Sequence, residues 1–208
     1  GCFVTELDIF LNTADPSIPI NVSIREMLNG YPTQKVVPGS DTVIYPSTAS
    51  SGTTNANTMV AGKKYRIMTS GSSNFTSVGA PNNNVGTVFR VSLEASQSAI
   101  SALGTSGKVD EINVLYTGSS GKGPMISDNA SAALPVTFSN PVYLSQDQEY
   151  AIVLMSNSDI YKLFVTTPGK NDLTTGALVD GNHYGGSFFM SQNASTWTAD
   201  PKRDLKFK

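Results

Sequence analysis

The chain carries one histidine, His183, and one cysteine, Cys2, and these two side chains bound most of the chemistry open to it. A hydrolytic triad needs a general base, and His183 is the sole imidazole that could serve. Set between Asn182 and Tyr184 with glycines beyond, it reads instead as a turn residue bonded to backbone. Cys2 as a nucleophile would need that same histidine as its base, so it reads as a small packing residue of an opening strand. A lone thiol excludes an internal disulfide and any zinc site built on two thiolates, and a lone imidazole excludes every two-histidine metal motif.

Carboxylates offer the next possibility, because a glycosidase works with a spaced acidic pair. Glu6 and Asp8 share one strand face and Asp110 and Glu111 are adjacent, but neither pair has the aromatic setting of a sugar cleft. Solvated strand edges account for both. Ser127-Asp128-Asn129 and Asn157-Ser158-Asp159 offer oxygen ligands without the spaced series of a calcium loop, so both read as Asx turns. Gly118-Ser119-Ser120-Gly121-Lys122-Gly123 has the wrong glycine spacing for a phosphate cradle, and Pro124 follows where a helix should open. The sequons at Asn21, Asn74, Asn129 and Asn193 are what a chain rich in Asn, Ser and Thr produces. No catalytic, metal or cofactor residue is assigned, and the chain is expected not to be an enzyme.

The elements that would position any site are short strands. Only 14% of the 208 residues are charged, against about 25% in typical soluble domains, and Ser, Thr, Asn and Gly fill the difference. A net charge of −2 argues against nucleic-acid binding, which needs clustered cations to displace counterions. No apolar run approaches the roughly 18 residues of a membrane span, so no membrane insertion is expected. Beginning at Gly1 and stopping at Lys208 within an alternation, the chain is expected to be a segment or trimmed product of a longer polypeptide.

Period-two alternation recurs throughout: Phe3 to Leu11, Ile20 to Ile24, Val43 to Tyr45, Tyr65 to Ile67, Phe89 to Leu93 and Ile112 to Tyr116. Asn29-Gly30 is a strong hairpin signal because both residues tolerate positive φ. Ser96 to Leu103 has the spacing of a short helix. Leu134, Val136 and Phe138 form a strand, a turn follows, and Pro141 to Leu144 forms the next. Tyr150 to Met155, apolar on both faces, is expected to be a central strand, with Tyr161, Leu163 and Val165 as its hairpin partner. Phe188-Phe189 and Leu205 to Phe207 mark the last strands. Ser47 to Asn57 and Gly118 to Gly123 read as linkers.

Three groups of segments resemble a known family. They are Phe3 to Phe10 with Ile18 to Arg25 and Asn29 to Thr33; Phe138 to Leu144 with Glu149 to Leu154; and Gly186 to Phe189, Ser191 to Asn193, Thr196 to Thr198 and Asp204 to Phe207. Together they resemble a β-rich structural module of baseplate and tail-fibre proteins of tailed bacteriophages, notably cyanophages. The middle of the chain is similar to a second, small β-module of phage tail proteins, through Ala61 to Ile67, Ser73 to Ala80 and Asn84 to Phe89. That family has Thr-Asp where this chain has Ser73-Asn74, and its Gly-Thr-Gly-Thr ending is delayed here by Leu93 to Leu103.

The resemblance implies a non-enzymatic virion protein of the baseplate or tail fibre, assembled in the host cytoplasm. Its partners would be other tail and baseplate proteins and further copies of itself within the virion, and it would contribute to host attachment. The expected fold is all-β: an antiparallel β-sandwich of jelly-roll or immunoglobulin-like kind, built from residues 1–46 and 124–208. Residues 58–111 would form a small inserted β-module, with 47–57 and 112–123 as linkers and junction strands. The alternative function is a carbohydrate-binding module that reads bacterial envelope glycans. Tyr161, Tyr184 and Trp197 are its candidate contacts if they share one exposed surface, against a reading of them as core.

Overall fold

The computed structural model describes residues 1–48, 53–181 and 186–208. It is all-β, with 42% of residues in strands and 6% in helix, as the recurring alternation requires. In chain order the strands are β1 (Cys2–Ile9), β2 (Leu11–Thr13), β3 (Ile20–Leu28), β4 (Tyr31–Val36), β5 (Thr42–Ser47), β6 (Thr53–Asn55), β7 (Lys64–Thr69) and β8 (Val88–Arg90). A one-turn helix, α1 (Gln97–Ser101), then precedes β9 (Lys108–Glu111), β10 (Val114–Tyr116), β11 (Leu134–Leu144), β12 (Tyr150–Ser156) and β13 (Lys162–Leu163). The last are β14 (Val165–Thr166), β15 (Phe188–Met190), β16 (Thr198–Asp200) and β17 (Asp204–Leu205). The chain divides into two compact units, residues 1–48 with 115–208, and residues 49–114.

In the first unit β3 is the hub. Its Ile20, Val22 and Ile24 face the core, and Asn29 (φ 52°) and Gly30 (φ 78°) close a two-residue turn that returns the chain as β4. One edge of β3 pairs with β12 along its length, while the other is shared, β5 taking Ile20 to Val22 and β4 taking Arg25 to Leu28. Where β4 gives way to β5, the buried hydroxyl of Ser40 substitutes for the missing ladder. It accepts the Ile24 N–H at 3.0 Å and donates to the Val37 carbonyl at 2.8 Å. With β10 beside β5, this makes a five-stranded sheet.

The opposite layer is β1 paired with β11, whose Leu7, Ile9, Leu134, Val136, Phe138 and Val142 meet Ile20, Val22, Ile24, Ile44 and Leu115 in one core. The two layers form the antiparallel sandwich. The turn expected between Phe138 and Pro141 is absent, because Leu134 to Leu144 is a single strand. Glu6 pairs with Thr137 and Val4 with Val142, so Thr5 alone faces the four residues Phe138 to Pro141. Such a bulge tolerates Pro141, which has no N–H to contribute, and turns Phe138 into the core.

Two further expectations are corrected. β12 is not central: among the described residues it pairs with β3 alone and lies at the edge of its sheet. Its two apolar faces arise because one packs on the core and the other lines a cavity, whereas a central strand is also paired along both edges. The segment after Asp159 is not its hairpin partner either. β13 pairs with β2 and β14 with β17, since Leu163 completes the core beside Leu11.

The second unit is a four-stranded antiparallel sheet in the order β6-β9-β7-β8. Tyr65, Ile67, Phe89 and Val109 point from it onto Phe75, Val78, Ile100 and Leu103. Ser96 caps α1 by accepting the Ala99 N–H. Gly79 adopts φ 108°, and a Cβ there would stand 3.0 Å from the Arg90 carbonyl oxygen. Ser73 is buried and joins two loops, its hydroxyl donating to the Leu103 carbonyl and accepting the Gly107 N–H. Thr53 to Asn55, linker-like by composition, is a strand on β9, and Ala56 beyond it is fully buried.

Two outcomes follow for stability. Ser40→Ala strands the buried Ile24 N–H and should cost about 1–3 kcal/mol, measured by urea denaturation against an unchanged Asn29→Asp control. The Thr117 N–H donates to the Ser47 carbonyl at 2.8 Å, so a short Gly/Ser turn can replace 49–114 at small closure cost. That version should melt cooperatively. Extending the cut to 47–123 removes the fully buried Leu115 and should cost at least the 2–5 kcal/mol typical of a buried Leu→Ala change.

Candidate functional site

A cavity of about 1240 Å³ in the first unit runs along the whole of Glu149 to Asn157. Its other wall comes from the segment 186–197, which folds because β15 and β16 pair (Phe188 with Asp200, Met190 with Thr198) around a tight loop. In that loop the Asn193 side-chain oxygen accepts the N–H groups of Ser195 and Thr196, and Ala194 takes a left-handed φ of 56°.

The loop is fastened to β3 and β4 through one atom. The Ala194 carbonyl accepts from Arg25 Nη1 at 3.1 Å and from the Gln34 amide. Arg25 is only 4% exposed, and it also bonds the Thr33 carbonyl, the Gln34 side-chain oxygen and the Met155 sulfur. Carbonyl dipoles thus solvate a buried cation where a carboxylate would ordinarily do so.

Four buried polar atoms in this region have no hydrogen-bond partner among the described residues: Asn21 Oδ1, Ser23 Oγ, Arg25 Nε and Trp197 Nε1. The first three alternate along one face of β3, and Trp197 lies on the cavity wall with Asn21. Phe188, Phe189 and three methionines, Met27, Met155 and Met190, give the cavity an adaptable apolar lining. Its charged lining residues are Glu149 and Asp204, and no Lys or Arg among the described residues joins them.

The three candidate glycan contacts have different fates. Trp197 lines the cavity. Tyr161 packs against the core and its hydroxyl donates to the Ile18 carbonyl. Burial, helped by the charge of Asp15, pushes its phenol up to about 12. Tyr184, like His183, lies outside the described residues. The cavity residues Asn21, Met27 and Met155 and the anchor Arg25 escaped sequence reasoning. The available signal was the polar row Asn21, Ser23 and Arg25 on a strand whose other face is apolar from Ile20 to Ile24.

Asp15 ties this region together. Its carboxylate accepts the N–H groups of Ser17 and Ile18 at 2.8 Å each, with the hydroxyls of Ser17 and Ser158. These bonds, the Ile18 N–H foremost, hold its pKa down at about 2. Ser158 belongs to the Asn157-Ser158-Asp159 turn, whose role is this tie. One member of each acidic pair is likewise occupied structurally: Glu6 accepts the Thr137 hydroxyl at 2.8 Å, and Glu111 pairs with Lys63. Gly118 to Lys122 closes a turn through the Gly118 N–H on the Lys122 carbonyl. Among the described residues no three His, Cys, Asp or Glu side chains are grouped to hold a metal ion, and no helix is long and apolar enough to cross a membrane.

On the outer face of β1 and β11, Phe3 and Tyr143 are 68% and 52% exposed, and their rings stand 5.1 Å apart. A second ring pair, the exposed Tyr31 with the half-buried Phe189, joins the start of β4 to β15 at 5.8 Å.

Because folding lowers the Asp15 pKa from 3.8 to about 2, its stabilisation is complete above the unfolded value and fades as pH falls through the folded one. The melting temperature should therefore drop between about pH 4 and pH 2 more steeply in the native chain than in Asp15→Asn, which keeps an acceptor but cannot titrate. Equal slopes in the two proteins would show that the tie contributes nothing.

Compared with protein-family models, with curated sequences and with solved structures, the chain matches none.

Proposed function

We propose that the chain is a non-enzymatic structural component of a bacteriophage tail, in the baseplate or a tail fibre, that mediates subunit assembly and contributes to host attachment. The observation that carries this reading is the outer layer of the first unit. Among the described residues β11 pairs with β1 alone, leaving an eleven-residue strand with an open edge beside the exposed Phe3–Tyr143 ring pair. Open edges and paired exposed aromatics are what one subunit offers another, since main-chain bonds give strength and rings fill pockets. The resemblance of the segments around Phe3, Asn29, Phe138 and Trp197 to tail modules supplies the kind of particle. A polar, charge-poor surface suits dense assembly, where an unpaired charge caught in an interface is costly.

The partners under this reading are other tail proteins and further copies of the chain, in a virion. A glycan-reading module is the second reading, and the placement of Trp197 on the cavity wall favours it.

Two experiments test the leading reading. An antibody against this chain should label tail tips or fibres of intact phage particles, and particles that carry no label would end the reading. Phe3→Ser combined with Tyr143→Ser should leave the melting temperature within a few degrees of native, both rings being solvent-facing. The same variant should weaken self-association or co-assembly about tenfold or more, as loss of a paired aromatic anchor does. Unchanged sedimentation would remove the ring pair from the assembly surface.

A further inference from the structure

The free edge of β12 shows its backbone to the cavity. Ile24 directs both its N–H and its C=O away from β12, to Ser40 and Val37. In an antiparallel ladder the residue opposite such a position also turns its groups away, so Ile152, paired with Ile24, points its N–H and C=O outward. Tyr150 and Leu154, two residues to either side, do the same. The Met27 N–H on the Glu149 carbonyl fits this alternation.

Three residues thus present donors and acceptors at the strand repeat, and all three line the cavity. β15, which among the described residues pairs with β16 alone, lines it from the other side. Two of its lining residues, Asn21 and Trp197, carry buried polar atoms without a partner among the described residues, and half of the chain's six methionines are in its lining, as on surfaces that adapt to peptides. A repeating row of amide donors and acceptors is matched by another extended backbone and not by the irregular hydroxyls of a sugar.

We propose that β12 is the receiving edge of a strand-addition site, in which an extended segment of a different polypeptide, free of acidic residues and bearing Lys or Arg, lies along Tyr150–Ser156 in the cavity walled by β12 and β15. The charge requirement comes from Glu149 and Asp204, the two carboxylates of a lining without a described cation. The proposal stands on the cavity and is independent of the virion reading, whose surface is the β1–β11 layer, so either can fail alone.

The test uses the whole chain and synthetic peptides of about nine residues, a typical strand length, alternating Val and Thr between terminal lysines. Trp197, the sole tryptophan, reports occupancy by fluorescence, and amide exchange reports pairing. The Lys-flanked peptide should change Trp197 emission saturably. It should slow exchange at Ile152 and Leu154 about tenfold or more while leaving the already bonded Ile24 amide unchanged. N-methylating alternate peptide amides should abolish both effects, and glutamate flanks should weaken binding about tenfold, a preference lost in the Glu149→Gln, Asp204→Asn protein.

Equal binding of the N-methylated peptide would overturn the proposal, making the cavity a plain apolar pocket. A Trp197 response to envelope oligosaccharide and not to peptide would make it a glycan site. Protection of Ile152 and Leu154 that rises with protein concentration, without peptide, would make the occupant a second copy. No response to any of the peptides would also overturn it.

Discussion

The first unit depends on one backbone constraint: β3 lies between neighbours that cannot all follow it along its length. A strand buried in a sheet must have its N–H and C=O groups satisfied on both edges. β12 serves one edge of β3 continuously, but the other passes from β5 to β4 within nine residues. The single hydroxyl of Ser40 bridges that handover, and the positions of β4, β5, the Val37 corner and the five-stranded sheet all follow from it. With the apolar face of β3 thus fixed, β1 and β11 have one place to pack.

The other face of β3 has a different logic. Arg25 is buried with carbonyl oxygens for company, an arrangement that is costly to desolvate and adds little net stability. What it provides is position, because the Ala194 carbonyl cannot leave Arg25 and Gln34 without costing a buried cation one of its few acceptors. A nearby loop with a strained alanine is thereby held over a roomy, methionine-lined space. Asp15 does the equivalent at the far end of β12, joining the loop after β2 to the turn after Ser156. Rigid ends and a loosely filled middle coexist in this part of the molecule.

Legibility in the sequence followed the range of the interactions. Ile20 to Ile24, Asn29-Gly30, Tyr65 to Ile67 and the Ser96-capped helix were readable because alternation, turn chemistry and capping are local. The all-β class followed from their number. What required non-local knowledge was misread. Tyr150 to Met155 is apolar on two faces whether it sits mid-sheet or beside a cavity, and only its neighbours decide. Ser139-Asn140-Pro141 has turn composition, but the pairing of Val4 with Val142 absorbs it as a bulge. Thr53 to Asn55 looks like linker because a three-residue strand on β9 needs no apolar alternation. Residue type alone does not distinguish Tyr161, a phenol spent on the Ile18 carbonyl, from Trp197 on a cavity wall.

The bulge in β11 also bears on how its open edge can be used. On a regular edge, an incoming strand can slide by two residues and recover the same bonds and the same side-chain facing. Here Thr5 is matched by four residues, one of them a proline with no donor, so the edge is aperiodic and each displacement meets a different pattern. It behaves as an index mark on a ruler whose other graduations are identical. A neighbour docking along β11 would therefore be set at one axial offset, and an array of such contacts would keep a constant spacing without any further spacer.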